Sequence, residues 1–183
     1  MFQQSQQTII NNAAVTRPQN RVQWHPPLAN CVKLNFNGVV FPELGKAGLG
    51  VVAHDCHGNV VASLSEQAPL LFVPVIVEAM VATRAITFAQ ELGLHEFMLE
   101  GDSEEVINTL RSTEPSLTTY GHLLESTKST LVTSKCIAFT HIRRIGIRVA
   151  HNLTKHARHV RGLSVWVKDI PPHLHDLLFA NPD

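Results

Sequence analysis

Two carboxylates in this sequence sit where a carboxylate has chemical consequences. Glu78 shares a helical stripe with Ala82, Ala85 and Ala89 and adjoins Ala79. A charged side chain on a face of small apolar residues is drawn toward the interior. Burial there is costly unless the charge is paired or bound to a metal. Asp102 follows a short strand-like run, 96–100, and opens a helical segment with Glu105 three residues on. The Asp-to-Glu spacing makes a capping box, while the place, at a strand's carboxyl end, is where open α/β sheets put their ligands. One aspartate can fill both roles. Two such carboxylates brought together would offer the hard oxygen ligands that Mg²⁺ requires.

Other chemistries find less support. His54, Cys56 and His57 have ligand types but crowd one tight turn, and His173 and His175 lie in a Pro-broken segment with no cysteine near them. His151, His156 and His159 fall at i, i+5 and i+8, so no single helix face gathers them. All histidines except His151 are expected at the surface. Gly45, Gly48 and Gly50 lie in a strand-like hairpin rather than before a helix, so they form no phosphate-binding loop. No Gly-x-Ser-x-Gly and no catalytic Cys–His setting occurs. Cys31, Cys56 and Cys136 are scattered, which reads as reduced thiols in an intracellular protein, and the lack of a secretory signal or membrane-spanning run points to the nucleus or cytoplasm.

The charge balance adds a second clue. The 183 residues carry a formal net charge of zero, yet residues 1–125 hold 6 Lys/Arg against 12 Asp/Glu, residues 126–168 hold 9 Lys/Arg and no acid, and residues 169–183 hold 3 acids and no base. A basic stretch without one carboxylate reads either as a phosphate-facing surface or as a solvated face that compensates an acidic remainder.

The elements that must position these residues follow from periodicity. Residues 1–30 are Gln/Asn-rich and end in Trp24-His25-Pro26-Pro27, which reads as a disordered tail and linker. Residues 32–40 alternate, with Val32, Leu34 and Phe36 on one face and Lys33, Asn35 and Asn37 on the other. Residues 46–54 and 60–65 form a hairpin around Gly58. A helix over 75–92 stops at Gly93, and a strand over 96–100 follows. Helices then start at Asp102 and near Thr118 or Thr119, the latter running to about 132. A strand covers 136–142, and a last helix covers 148–160 before Gly162. The fold class is α/β: a five-stranded mixed sheet, three antiparallel strands then two more, flanked by helices. The domain is expected over 31–162, with 163–183 an apolar extension whose part 165–180 packs on the domain or meets a protein partner. No apolar run is long enough to span a membrane.

In that order, five motifs resemble those of the ribonuclease H-like domain in plant proteins derived from non-LTR retrotransposons. They are Trp24-His25-Pro26-Pro27 ahead of Lys33-Leu34-Asn35-Phe36-Asn37-Gly38, then Ala47-Gly48-Leu49-Gly50-Val51-Val52, then Glu78-Ala79 with Ala82. Leu99-Glu100-Gly101-Asp102-Ser103 and His141-Ile142-Arg143-Arg144 with Val149-Ala150-His151-Asn152-Leu153 complete the set. The resemblance implies a site in which four carboxylates hold two Mg²⁺ that activate water to cut the RNA strand of an RNA–DNA hybrid. It assigns Glu78 and Asp102 as catalytic metal ligands. It also puts Asn37 at the position of the bridging aspartate, and His151 at that of the last one. Asn37 supplies oxygen but no charge, and imidazole suits Zn²⁺ or Fe²⁺ better than Mg²⁺. Glu78, Asp102 and His151 could instead hold one transition metal. Ile147 stands where the family carries Asn, and the loop from Arg144 to Ile147 is short. His141 precedes that loop and receives no catalytic role.

The same resemblance puts Arg143, Arg144, Arg148 and Lys155, with Arg158 and Arg161, beside the site, where they could track a phosphate backbone. Three functions follow. The chain is a hybrid- or duplex-binding domain with an impaired site, or an active metal-dependent hybrid endoribonuclease using Mg or Mn, or a protein-interaction module. The first is favoured, and it requires no cofactor.

Overall fold

The structure, a computed structural model, describes residues 24–69, 73–131 and 135–179. Strands β1 (Val32–Phe41), β2 (Lys46–His54) and β3 (Val60–Pro69) form the expected antiparallel meander. Its β2–β3 turn is tied by Asp55, whose Oδ1 accepts from the amides of His57 (2.8 Å) and Asn59 (2.9 Å), with Gly58 at φ 81°. Helix α1 (Pro74–Glu91) starts on a proline, whose missing N–H is no loss in a first turn. It ends at Gly93, φ 69°.

Strand β4 (Glu96–Gly101) pairs in parallel with β1, and β5 (Lys135–His141) in parallel with β4. Between them lie α2 (Glu104–Arg111) and α3 (Gly121–Thr130). The third helix starts later than Thr118 or Thr119 suggests. Tyr120, whose hydroxyl donates to Glu105 at 2.6 Å, occupies its N-terminal cap position instead. Helix α4 (Arg148–His156) tightens into a 3-10 turn over Ala157–His159, inside the span expected for one helix.

The sheet has six strands, not five, in the order β5-β4-β1-β2-β3-β6. The additional strand, β6 (Leu163–Val167), begins the segment read as an apolar extension and pairs antiparallel with β3. Beyond it a 3-10 turn (Pro172–Leu174) and a last turn, α5 (Asp176–Phe179), fold back. Ile170 and Leu174 are buried there with Val52, Ile147, Ala150 and Leu153. The larger core lies on the other face, where Leu34, Phe36, Leu49, Val51 and Leu64 meet the alanines of α1 and the apolar faces of α2 and α3.

Two glycines set how closely helices approach the sheet. A Cβ on Gly38 would fall 2.9 Å from Val77 Cγ1 and 3.2 Å from the Val77 carbonyl oxygen, so α1 lies directly on β1. A Cβ on Gly50 would run into the backbone of α4 at Ala150 and Thr154. These contacts bring Glu78 from one face and His151 from the other to the carboxyl end of β1.

Candidate functional site

Asn37 is the centre of the site. It is 1% exposed, and both ends of its amide are committed. Nδ2 donates to Asp102 Oδ1 at 3.0 Å, and Oδ1 lies 2.9 Å from His151 Nδ1. A carboxylate can only accept, so the amide nitrogen must face Asp102. The amide oxygen must then accept, and His151 must carry its proton on Nδ1. Burial, with Lys155 and Arg144 nearby, pushes the imidazole below its ordinary value, so the ring is neutral near pH 7 and Nε2 is left as an acceptor. The Thr154 hydroxyl locks α4 to this point by sharing its proton between the carbonyls of Asn37 (2.7 Å) and Ala150 (2.8 Å).

Asp102 is held on its other side by Arg144, whose Nε donates to Oδ2 at 2.8 Å. The Asp102 side chain is 9% exposed and the Arg144 side chain 63%. Asp102 does not cap α2, as its spacing to Glu105 suggested. Ser103 does, accepting from the Val106 amide at 3.4 Å. Asp102 is thereby left one residue before the cap, turned to Asn37.

Glu78 lies half-buried on α1. Oε1 accepts from the Gly38 amide at 3.2 Å, while Oε2 is buried with no hydrogen-bond partner. Desolvation first, and the negative charge of Asp102 second, push this carboxyl up to about 8, against smaller opposing effects of the Gly38 amide and Arg144. It is therefore largely protonated at neutral pH. With Glu78 neutral, the anion of Asp102 and the cation of Arg144 balance.

The arrangement at Asp102 has a counterpart one strand step away. Asn35 is paired in register with Glu100 across β1 and β4. Its Nδ2 donates to Glu100 Oε2 at 2.9 Å, and Lys33 Nζ meets Glu100 Oε1 at 2.9 Å. Amide, carboxylate and cation occur in the same relation as Asn37, Asp102 and Arg144. Trp24 closes the first trio, donating Nε1–H to Asn35 Oδ1 at 3.0 Å, and Lys33 also donates to the His25 carbonyl at 2.7 Å. The end of the segment read as a linker thus lies against the sheet. It also covers His54, whose ring centroid is 4.8 Å from that of Trp24. His54 is buried, not at the surface, and burial pushes its imidazole down to about 4.

Of the predicted residues, Asn37, Asp102 and His151 form one hydrogen-bonded chain, and Glu78 joins them through Gly38. Arg144 binds Asp102 directly. Arg143, Arg148 and Lys155 are exposed, and Lys155 lies near enough to His151 to act on its imidazole. Thr154, Lys33, Asn35 and Glu100 were not singled out by type. Only the alternation that puts Lys33, Asn35 and Asn37 on one face carried a trace of their role.

A pair of divalent cations does not fit this donor set. Both oxygens of Asp102 and the oxygen of Asn37 already have partners, and His151 presents a proton toward Asn37. Among the described residues, no three of His, Cys, Asp and Glu come together in a way that could hold a metal ion.

The six-stranded mixed sheet in this order, with helices packed on both faces, has the ribonuclease H-like fold. The chain belongs to the reverse transcriptase-like family, which matches residues 35–157. Its structure is similar to ribonuclease H1 from the halophilic archaeon Halobacterium salinarum NRC-1. The TM-score is 0.64 with 21% identity, covering 70% of this chain and 98% of that one. LC11-RNase H1, isolated from compost by a metagenomic approach, gives a TM-score of 0.58 with 24% identity, over 70% of this chain and 95% of that one. The same enzyme in complex with an RNA/DNA hybrid gives 0.60 with 19% identity, over 68% and 94%. No curated protein sequence matches the chain. Among the described residues, no helix is long and apolar enough to cross a membrane.

Proposed function

We propose that this chain is a ribonuclease H-like domain that binds an RNA–DNA hybrid or duplex and whose hydrolytic site is impaired. The observation that carries the reading is the double occupation of Asp102 by the Asn37 amide and the Arg144 guanidinium. Hydrolysis of this kind needs anions free to hold cations at the reacting phosphate. Here one such position is an amide, one is an imidazole, and Glu78 holds a proton. Binding needs only a cationic edge. Arg143, Arg148 and Lys155 are exposed, and Arg144 is within reach of both Asp102 and solvent. The complex of LC11-RNase H1 with an RNA/DNA hybrid supports the choice of ligand. The five motifs support descent from a plant retrotransposon-borne domain, and with it a place in the nucleus or cytoplasm.

A second reading, an active endoribonuclease loaded with Mg or Mn, draws on the unpartnered Glu78 Oε2. A labelled hybrid incubated in Mg²⁺ and in Mn²⁺ separates the two. Wild type is expected to bind without cutting, with affinity that falls as salt rises. Asn37→Asp should melt lower than wild type without divalent ions, because a carboxylate then faces Asp102 where the amide stood at 3.0 Å. Mn²⁺ should restore its melting point and elicit cutting. Robust cutting by wild type that is lost in Glu78→Ala would establish the second reading. Absence of binding at low salt, or binding without a salt slope, would remove the nucleic-acid role.

A further inference from the structure

Three hydrogen bonds run in series through the site, and chemistry fixes the direction of each. His151 donates Nδ1–H to Asn37 Oδ1 at 2.9 Å, Asn37 donates Nδ2–H to Asp102 Oδ1 at 3.0 Å, and Arg144 donates Nε–H to Asp102 Oδ2 at 2.8 Å. Every member but the last is buried or partly buried, while Arg144 is largely exposed. The backbone around Arg144 is anchored as well. The Ile142 amide donates to the Gly101 carbonyl at 3.0 Å, and the 3-10 turn over Arg144–Ile147 buries Gly146 and Ile147. Among the described residues, the bond from Nε is the guanidinium's one hydrogen bond. Both terminal nitrogens, a planar fork of N–H donors, are therefore left for a ligand. A cationic fork of that shape matches two oxygens of a phosphodiester.

Resting on the reading that this chain binds a hybrid or duplex, we propose that Asp102 is a positioning residue: it holds the Arg144 guanidinium so that the terminal nitrogens clamp one backbone phosphate, and no divalent ion takes part in that binding. A carboxylate with both oxygens occupied is a poor cation ligand but a rigid acceptor. Asn37 keeps it from turning, and Asn37 is itself held by His151 and Thr154. An arginine immobilised before its ligand arrives loses less side-chain freedom on binding. Charge alone would make Asp102 a liability, because an anion repels a phosphate. Positioning and charge therefore predict opposite signs for the removal of its carboxylate.

Anisotropy titrations of the whole chain with a short labelled RNA–DNA hybrid, at matched ionic strength, separate the two. Wild type should bind equally in EDTA and in Mg²⁺. Arg144→Ala should weaken binding roughly tenfold and lower the salt slope by about one phosphate contact. Asp102→Asn should weaken it roughly two- to tenfold, the range for one side chain that must be ordered on binding. The cause is that a single amide oxygen cannot accept from both Asn37 and Arg144. In an Arg144→Ala background the same Asp102→Asn change should leave binding unchanged or strengthen it, since only the repulsive charge is then removed. Tighter or unchanged binding by Asp102→Asn alone overturns the proposal. Equal losses in the two backgrounds also overturn it, because they mark a damaged fold rather than a misplaced guanidinium, and so does wild-type binding that requires Mg²⁺. Hybrid binding that ignores Arg144→Ala overturns it while leaving the nucleic-acid role intact, whereas no binding by wild type at low salt removes both.

Discussion

Replacing Glu78 by glutamine should change how stability depends on pH. In the folded chain the carboxyl is pushed up to about 8 from an ordinary 4.5, because burial disfavours its charged form and Asp102 repels it. The folded state thus holds a proton that the unfolded state releases above pH 4.5. Between 4.5 and 8 the folded state binds more protons, so stability falls as pH rises, by up to about 1.4 kcal/mol per pH unit. Local relaxation and water entry reduce the total, leaving a loss on the order of a few kcal/mol that is complete above pH 8. Glutamine keeps the oxygen that accepts from Gly38 and carries no charge at any pH. Urea unfolding of both proteins at pH 5, 6, 7, 8 and 9 isolates the effect as the difference between two profiles, which removes the contribution of the histidines. The variant should equal wild type near pH 5 and exceed it progressively up to pH 8. Parallel profiles, or a variant less stable at pH 9, would refute the protonated Glu78.

Two further outcomes follow from the covered trio at Trp24. Lys33 and Glu100 have side chains 8% and 6% exposed, so Lys33→Met leaves a buried carboxylate without its cation and should cost about 3–5 kcal/mol in chemical denaturation. Adding Glu100→Gln should recover much of that loss. His54, pushed down to about 4 from 6.5, contributes stability that is complete above pH 6.5 and lost as pH falls toward 4. Loss of Trp24 packing, followed by fluorescence, should track this loss, and His54→Phe should make the acid-side decline shallower.

The sequence carried the parts of this fold that depend on local pattern. Alternation marked β1 and separated Asn37 from the core residues Leu34 and Phe36, and small residues at helical spacing marked the face of α1 that holds Glu78. Strand β6 escaped because its exposure alternates only between half-buried and exposed, so no buried face stands out. The pairing of Asn37 with Asp102 spans 65 residues, and that of His151 with Asn37 spans 114. Sequence spacing could not show that the amide's two ends would be used up, one on a carboxylate and one on an imidazole. The function of Ser103 as the cap was hidden by an equally good capping signal one residue earlier.

Trp24 stands upstream of the first strand, yet it shields the most deeply buried charges of the sheet. A shortened version beginning at Cys31 would keep every strand and helix and still uncover Lys33, Asn35, Glu100 and His54. Water would reach the β1–β4 seam two residues from Asn37, so damage at the amino-terminal margin would surface as a loosened site. Any fusion, truncation or graft of this domain should therefore treat the tryptophan as part of its interior.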